Sequence, residues 1–130
     1  MNNEPSGKID FDSRNTSLGY HALYLNTTGV HNSAFGLNSS ENNTDGSYNS
    51  TFGLYSNKNN TTGNFNTIIG AQAGENNVTG SRNVFLGYAA GYYETGSNKL
   101  YIANDYPNPP LIYGDFATEK IGLGTITPSF

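Results

Sequence analysis

The chain lacks cysteine and tryptophan and carries few charged side chains. Charged residues make up 12% of its 130 residues, and the net charge is −4. Without cysteine the chain has neither disulfides nor thiolate chemistry. No apolar run is long enough to span a bilayer, so we expect no membrane contact by this segment. Because there is also no basic patch, we expect no nucleic-acid partner.

The most regular feature of the sequence is a repeat of 17 residues. An asparagine is followed four residues later by a glycine in five copies, which are Asn15 and Gly19, Asn32 and Gly36, Asn49 and Gly53, Asn66 and Gly70, and Asn83 and Gly87. Two further ladders rise in step, Asn26, Asn43, Asn60 and Asn77, and Gly29, Gly46, Gly63 and Gly80. Such a unit is too short to bury its own apolar face or to form a helix pair. The repeat therefore predicts an all-β fold, a parallel β-solenoid of about five coils.

One apolar residue per repeat is predicted to point into the coil. This stripe consists of Leu18, Phe35, Phe52, Ile69 and Leu86. Small residues follow four places later, at Ala22, Ser39, Ser56, Ala73 and Ala90, where a thin interior would leave no room for bulk. We assign the asparagine ladders a structural role, because stacked amides can bond to the coils above and below. The glycine after the stripe suits close backbone approach, and the Gly29 series suits a turn with positive φ.

The repeats are bounded by segments of a different style. We divide the chain into an N-terminal strand or cap at 1–14, a solenoid at 15–97, and a strand-rich C-terminal cap or connector at 98–130. The unit that begins at Asn83 is one residue shorter than the others. After it, three alternating segments follow, at 99–104, 111–116 and 120–124, and these are typical of ordinary strands. A terminal cap would cover the open end of the last coil.

Several apolar residues are predicted to face outward. They are Tyr20, Leu37, Leu54 and Tyr88, and the series His31, Tyr48 and Phe65. A thin coil buries little surface per residue, and an exposed apolar face of this length favours association with other chains. The sequence therefore indicates an oligomer.

The repeat motif resembles that of a known family. The segments 15–19 and 66–70, Asn-Thr-Ser-Leu-Gly and Asn-Thr-Ile-Ile-Gly, are similar to the Asn-Ser/Thr-x-Ile-Gly repeats of trimeric autotransporter adhesin heads, the YadA-like left-handed β-roll. The segments 96–104, 110–116 and 121–125 resemble a strand-rich module that follows such repeats in bacterial surface proteins and phage tail fibres. The family repeat is shorter, so the extra residues here should lengthen the turn around Asn26 and its copies.

The resemblance implies a left-handed roll, a homotrimer with the motif strand near its axis, and an extracellular location on a bacterial cell surface or a virion tail fibre. It also implies the function, which is that of a structural and adhesive fibre module contacting a host-surface glycan or protein receptor. If so, specificity should lie in the turn residues that differ between copies. We place the candidate surface-binding turns at Tyr24, Glu41, Lys58 and Glu75.

The repeats contain few titratable side chains that could act in catalysis. His21 and His31 share one repeat, Asp45 is the only aspartate in the repeats, and we expect no catalytic site, metal or cofactor. A solenoid that binds calcium would carry an Asp ladder, which is missing here.

Two alternative functions remain open. The first is an ice-binding face formed by Thr27, Thr44 and Thr61 beside Thr28, Thr62 and Thr79, which Asp45 and Val78 interrupt. The second is a glycan-active fibre domain that would use Glu75 or Glu94.

Overall fold

The structure is a computed structural model, and it describes residues 7–106 and 108–128. Within these residues it contains nine strands and no helix. The strands are β1 (Gly7–Asp10), β2 (Asn15–Leu18), β3 (Ser33–Phe35), β4 (Ser50–Phe52), β5 (Thr67–Ile69), β6 (Val84–Leu86), β7 (Lys99–Ile102), β8 (Ile112–Asp115) and β9 (Lys120–Leu123). They form one sheet in chain order. The all-β class is confirmed, and in the described residues no helix exists that could cross a membrane.

Strands β2 to β7 are parallel, and their register follows the repeat. Thr16 pairs with Ser33, Ser33 with Ser50 and Ser50 with Thr67, each one repeat further along the chain. The last step is one residue shorter, because Val84 pairs with Leu100. The five coils span 15–31, 32–48, 49–65, 66–82 and 83–98. The predicted β-solenoid of about five turns with coils of about 17 residues is thereby confirmed.

The sheet is extended at both ends by antiparallel strands. β1 pairs with β2 through Lys8 opposite Ser17, and β8 and β9 continue the sheet beyond β7 as an antiparallel meander. The predicted alternating segments thus form strands, but the first of the C-terminal three, β7, is stacked in parallel on the solenoid. The predicted N-terminal unit lies partly outside the described residues, which begin at Gly7.

Buried asparagines join each coil to the next. The side chain of Asn15 accepts a hydrogen bond from the Asn32 backbone N–H at 2.7 Å, while the Asn32 amide donates to the Gly46 carbonyl at 2.8 Å. This pattern recurs up to Asn83. A second ladder runs between amides, where Asn43 donates to Asn26 at 2.8 Å and Asn60 donates to Asn43 at 2.7 Å. These bonds supply partners to polar groups that would otherwise be buried without one.

The predicted inward stripe was wrong by one residue. Leu18 is 56% exposed, Phe52 40% and Ile69 45%, and Phe35 and Leu86 are half-buried, so the stripe faces outward from the coil. The buried residues are their immediate predecessors, Ala34, Thr51, Ile68 and Phe85. Successive residues of a strand face opposite sides, and residues two places apart face the same side. Because the asparagine that begins each strand must point inward to bond the next coil, the residue two places later also points inward.

The coil turns its corners at residues with left-handed φ that are mostly not glycine. Such residues recur in three rows, each with one member per coil, and the members named here have φ between 49° and 60°. The first row contains Arg14, His31, Tyr48, Phe65 and Arg82, the second His21, Asn38, Tyr55 and Gln72, and the third Leu23, Ser40 and Asn57. The Gly29 series does not use positive φ, contrary to the prediction. Glycine is required at these positions because neighbouring coils leave no room for a side chain: a Cβ on Gly46 would lie 2.5 Å from the Gly63 carbonyl oxygen.

The interior changes character along the axis. In the middle coils it is polar, with the hydroxyls of Ser39 and Ser40 each hydrogen-bonded to the hydroxyl of Thr51. Toward the C-terminal end it is apolar, with a cluster of Ile68, Ala73, Phe85 and Ala90 against which Tyr101 and Ala103 pack. The small residues predicted to line a thin interior are buried, apart from Ala22 in the first coil, which is half-buried. The driving force from apolar burial is therefore concentrated in coils 4 and 5.

Candidate binding surfaces

The outer face of the parallel sheet carries a continuous apolar ribbon. We define the outer ribbon as Leu18, Phe35, Phe52, Ile69 and Leu86. The rings of Phe35 and Phe52 stack with centroids 4.8 Å apart and planes inclined by 2°. Beyond the glycine that follows each of these residues, further large exposed side chains continue the apolar surface, at Tyr20, Leu37, Leu54 and Tyr88. An apolar surface that runs the length of a rod is typical of an interaction face.

A second row forms an aromatic ladder of His31, Tyr48 and Phe65, in which Tyr48 and Phe65 are exposed and His31 is half-buried. Ring centroids are 4.7 Å apart for His31 and Tyr48 and 5.0 Å apart for Tyr48 and Phe65, with nearly parallel planes. Arg14 lies 3.1 Å from the Nε2 atom of His31, and Arg82 lies over the Phe65 ring. Both faces of the Tyr48 and Phe65 rings are covered by neighbours, so these two rings present their edges to solvent and offer no open face on which a sugar ring could stack.

The predicted surface-binding turns lie in one row, and their polar side chains already have partners within the chain. Glu41 contacts His21 at 3.3 Å and Lys58 at 3.7 Å, and Glu75 accepts a hydrogen bond from Gln72. The Tyr24 ring stacks on His21 and is 55% exposed. The neighbouring Asn42, Asn59 and Asn76 bond to one another. Because most of these polar groups already have partners, Tyr24 is the main free group that this row offers.

Continuing the same row by one coil leads to residues that the sequence reasoning missed. The fifth copy of the turn is Tyr92 and Tyr93, and it borders a cavity of about 400 Å³. We define the tyrosine cavity by Tyr92, Tyr93, Tyr101 and Tyr106 together with the carboxylates Glu94 and Asp105 and the apolar residues Pro109, Pro110 and Ile126. The signal was present in the repeat register, since Tyr24 and Tyr92 occupy equivalent places in coils 1 and 5.

The titratable groups of the repeats do not assemble into a catalytic constellation. His21 contacts Glu41, whereas His31 contacts Arg14, so the two histidines serve different neighbours. Asp45 accepts hydrogen bonds from the hydroxyls of Thr28 and Thr27, which hold the pKa of its carboxyl below the ordinary value. Across residues 7–106 and 108–128, no three His, Cys, Asp or Glu side chains lie close enough to hold a metal ion.

The threonine row is occupied by bonds within the solenoid. The hydroxyl of Thr27 shares its proton between the Thr44 carbonyl at 3.0 Å and the Asp45 carboxylate at 3.2 Å, and the hydroxyls of Thr44 and Thr61 each donate to the next coil at 3.1 Å. A hydroxyl has one donor proton, so these three groups have used theirs.

Comparison with known proteins gives no match to a family model, a curated protein or a solved structure.

Proposed function

We propose that the chain is a structural and adhesive fibre module, a segment of a rigid homotrimeric rod that projects from a bacterial cell surface or a phage tail fibre and contacts a host-surface glycan or protein receptor. The observation that carries this proposal is the outer ribbon. A single rod leaves Leu18, Phe52 and Ile69 about half exposed, and burying such side chains against other chains is favourable by about 1.5–3 kcal/mol for each one fully covered.

A closed assembly of identical rods covers the ribbon most simply. The ribbon is regular, since each step pairs one apolar residue with the next in register, and rods packed around an axis bury such a stripe along their whole length. Cyclic symmetry leaves no uncovered copy. The resemblance to adhesin heads favours three chains, a left-handed coil and a motif strand at the axis.

The C-terminal meander suits the role of a cap in this assembly. β8 and β9 add antiparallel strands beside β7, the last strand of the solenoid, and the Lys99 ammonium bonds the Asp115 carboxylate at 2.8 Å across that junction. This contact lowers the pKa of Asp115 and raises that of Lys99. A solenoid without such a cap would expose a full strand edge.

The alternatives find less support. An ice-binding face needs a regular array of hydroxyls free to meet a lattice, whereas Thr27, Thr44 and Thr61 donate within the solenoid. A glycan-active domain needs a pair of carboxylates around one site. Glu75 accepts from Gln72, while Glu94 accepts from Tyr101 and Gly96, so each carboxylate bonds its own neighbours and the two share no partner.

The mass in solution tests the assembly. We expect light scattering on the purified chain to give three times the 14.0 kDa mass of one subunit, unchanged on dilution across the range in which the rod stays folded. A stable single subunit with a full β-sheet circular dichroism spectrum would overturn the proposed assembly. The same sample is expected to bind host cells or immobilised glycans, and absence of binding to all of these surfaces would overturn the adhesive role.

A further inference from the structure

The tyrosine cavity lies between the last turn of the solenoid and the segment that follows β7. Its volume of about 400 Å³ falls in the range of small-molecule sites. Three rings form one cluster at its wall, with centroid distances of 4.9 Å between Tyr92 and Tyr93, Tyr92 and Tyr106, and Tyr93 and Tyr106. Tyr93 is 64% exposed, so the cluster is reachable from solvent.

The charges around the cavity are of one sign. Glu94 and Asp105 line it, and its lining contains no lysine or arginine. The partners of these carboxylates are neutral, since Glu94 accepts from Tyr101 at 2.9 Å and from the Gly96 N–H at 2.7 Å, and Asp105 accepts from Asn108 at 2.7 Å. Neither carboxylate belongs to an ion pair in the part of the chain that the structure describes. Their negative charge is therefore free to attract a cation.

The walls indicate what kind of cation fits. Pro109, Pro110, Ile126 and alanines contribute apolar surface, which a hydrated metal ion or a bare ammonium would leave unused. Methyl groups on a positively charged nitrogen can contact such surface while the charge is stabilised by the aromatic rings. From this combination we propose that the tyrosine cavity binds an organic cation carrying a quaternary ammonium group.

This inference does not rest on the proposed fibre function, because the cavity is built within one chain. Quaternary ammonium groups are recognised by aromatic side chains through cation–π attraction, which strengthens when the site is partly desolvated. In this cavity the tyrosines supply the rings, and the two carboxylates add longer-range attraction. A ligand on a surface or in solution would present the same chemistry to the site.

A titration of the full chain with choline chloride tests the proposal. Tyrosine fluorescence or backbone NMR shifts report binding, and sodium chloride keeps the ionic strength constant. The matched ligand is the neutral carbon analogue of choline, in which a tert-butyl group replaces the trimethylammonium group. We expect saturable binding of choline with shifts confined to residues around the cavity, and binding of the analogue about tenfold weaker.

Two variants, each with its own control, locate the site. Tyr93→Ala should weaken choline binding about fivefold or more. The control Tyr48→Ala removes an exposed tyrosine from the aromatic ladder, which does not line the cavity, and should leave choline binding unchanged. Asp105→Asn should weaken binding several-fold, and Asp12→Asn, at an exposed aspartate far along the chain, should not. Circular dichroism must show all four variants folded.

Several outcomes would overturn the proposal. Equal affinity for choline and its neutral analogue would show a merely apolar cavity. Binding of neutral hexoses without binding of choline would make this a sugar site. Full choline affinity in Tyr93→Ala, or no saturable response to choline, would show that the cavity does not hold this cation. None of these results depends on the number of chains in the assembly.

Discussion

At the scale of single residues, the interior is filled by side chains that change size in opposite directions on its two walls. From coil 3 to coil 5 the strand wall grows and the facing wall shrinks, through Thr51, Ile68 and Phe85 on one side and Asn57, Gly74 and Gly91 on the other. Gly74 has a φ of 59°, but Asn57 holds a φ of 52° at the equivalent place. Left-handed φ alone therefore does not require glycine at 74. The Phe85 ring does, because a Cβ there would lie 2.8 Å from its Cδ2 atom.

We predict that Gly74→Ala destabilises the fold by about 2–4 kcal/mol, which combines overpacking against the Phe85 ring with backbone strain. Phe85→Ala should cost about 3–5 kcal/mol because it leaves a cavity. The double variant should cost clearly less than the sum, since the added methyl group then occupies space that the ring has vacated. Urea denaturation measures all three, and strictly additive losses would contradict the packing described here.

At the scale of the strand, the alternation of inward and outward positions decides which side chains are buried. Inward positions alternate with outward ones, so Ile68 is fully buried while Ile69 is 45% exposed. Both are isoleucines in the same short strand, β5. Their difference comes from Asn66, just before the strand, whose side-chain oxygen accepts a hydrogen bond from the Asn83 N–H of the next coil.

We predict that Phe52→Asp and Ile68→Asp fail in different ways. Ile68→Asp should unfold the chain, because an unpaired charge in the apolar interior costs several kcal/mol. Phe52→Asp places its charge on the outer ribbon and should keep the β-sheet spectrum while reducing the mass from that of the proposed trimer to that of one chain. Circular dichroism and light scattering on both variants give the answer. A Phe52→Asp protein that remains trimeric would remove the outer ribbon as the interface.

The sequence was sufficient for the architecture but not for the direction of the side chains. The strict spacing of Asn15 and its copies predicts stacked coils, because equal spacing places equivalent asparagines of successive coils in register with one another. Which of the two neighbouring positions faces inward could not be predicted, since Ile68 and Ile69 are equally apolar and their burial depends on where the asparagine amide finds its partner. The cavity could be predicted only in part. Tyr92 and Tyr93 follow from the repeat, but Tyr106 and Pro110 reach it through a segment outside the repeat.

At the scale of the whole molecule, the rod is a one-dimensional stack in which each coil bonds chiefly to its two neighbours. Backbone and asparagine bonds step by one repeat throughout the first four coils, as between Asn49 and Asn66. In such proteins stability is approximately a sum of coil and nearest-neighbour interface contributions. A change that preserves the period should therefore be tolerated better than a smaller change that breaks it.

We predict that deleting residues 50–66, one full period, leaves a folded and shorter rod. Asn49 would then precede Thr67, and its side chain would accept from the Asn83 N–H as that of Asn66 does at 3.0 Å in the intact chain. Deleting only residues 50–57 removes fewer residues but destroys strand β4 and half a coil. The backbone N–H and C=O groups of the adjacent coils then lose their hydrogen-bond partners. We expect the shorter deletion to lower the melting temperature more than the longer one, as followed by circular dichroism. The reverse order would mean that stability depends on how many residues are present and not on whether the coils remain in register.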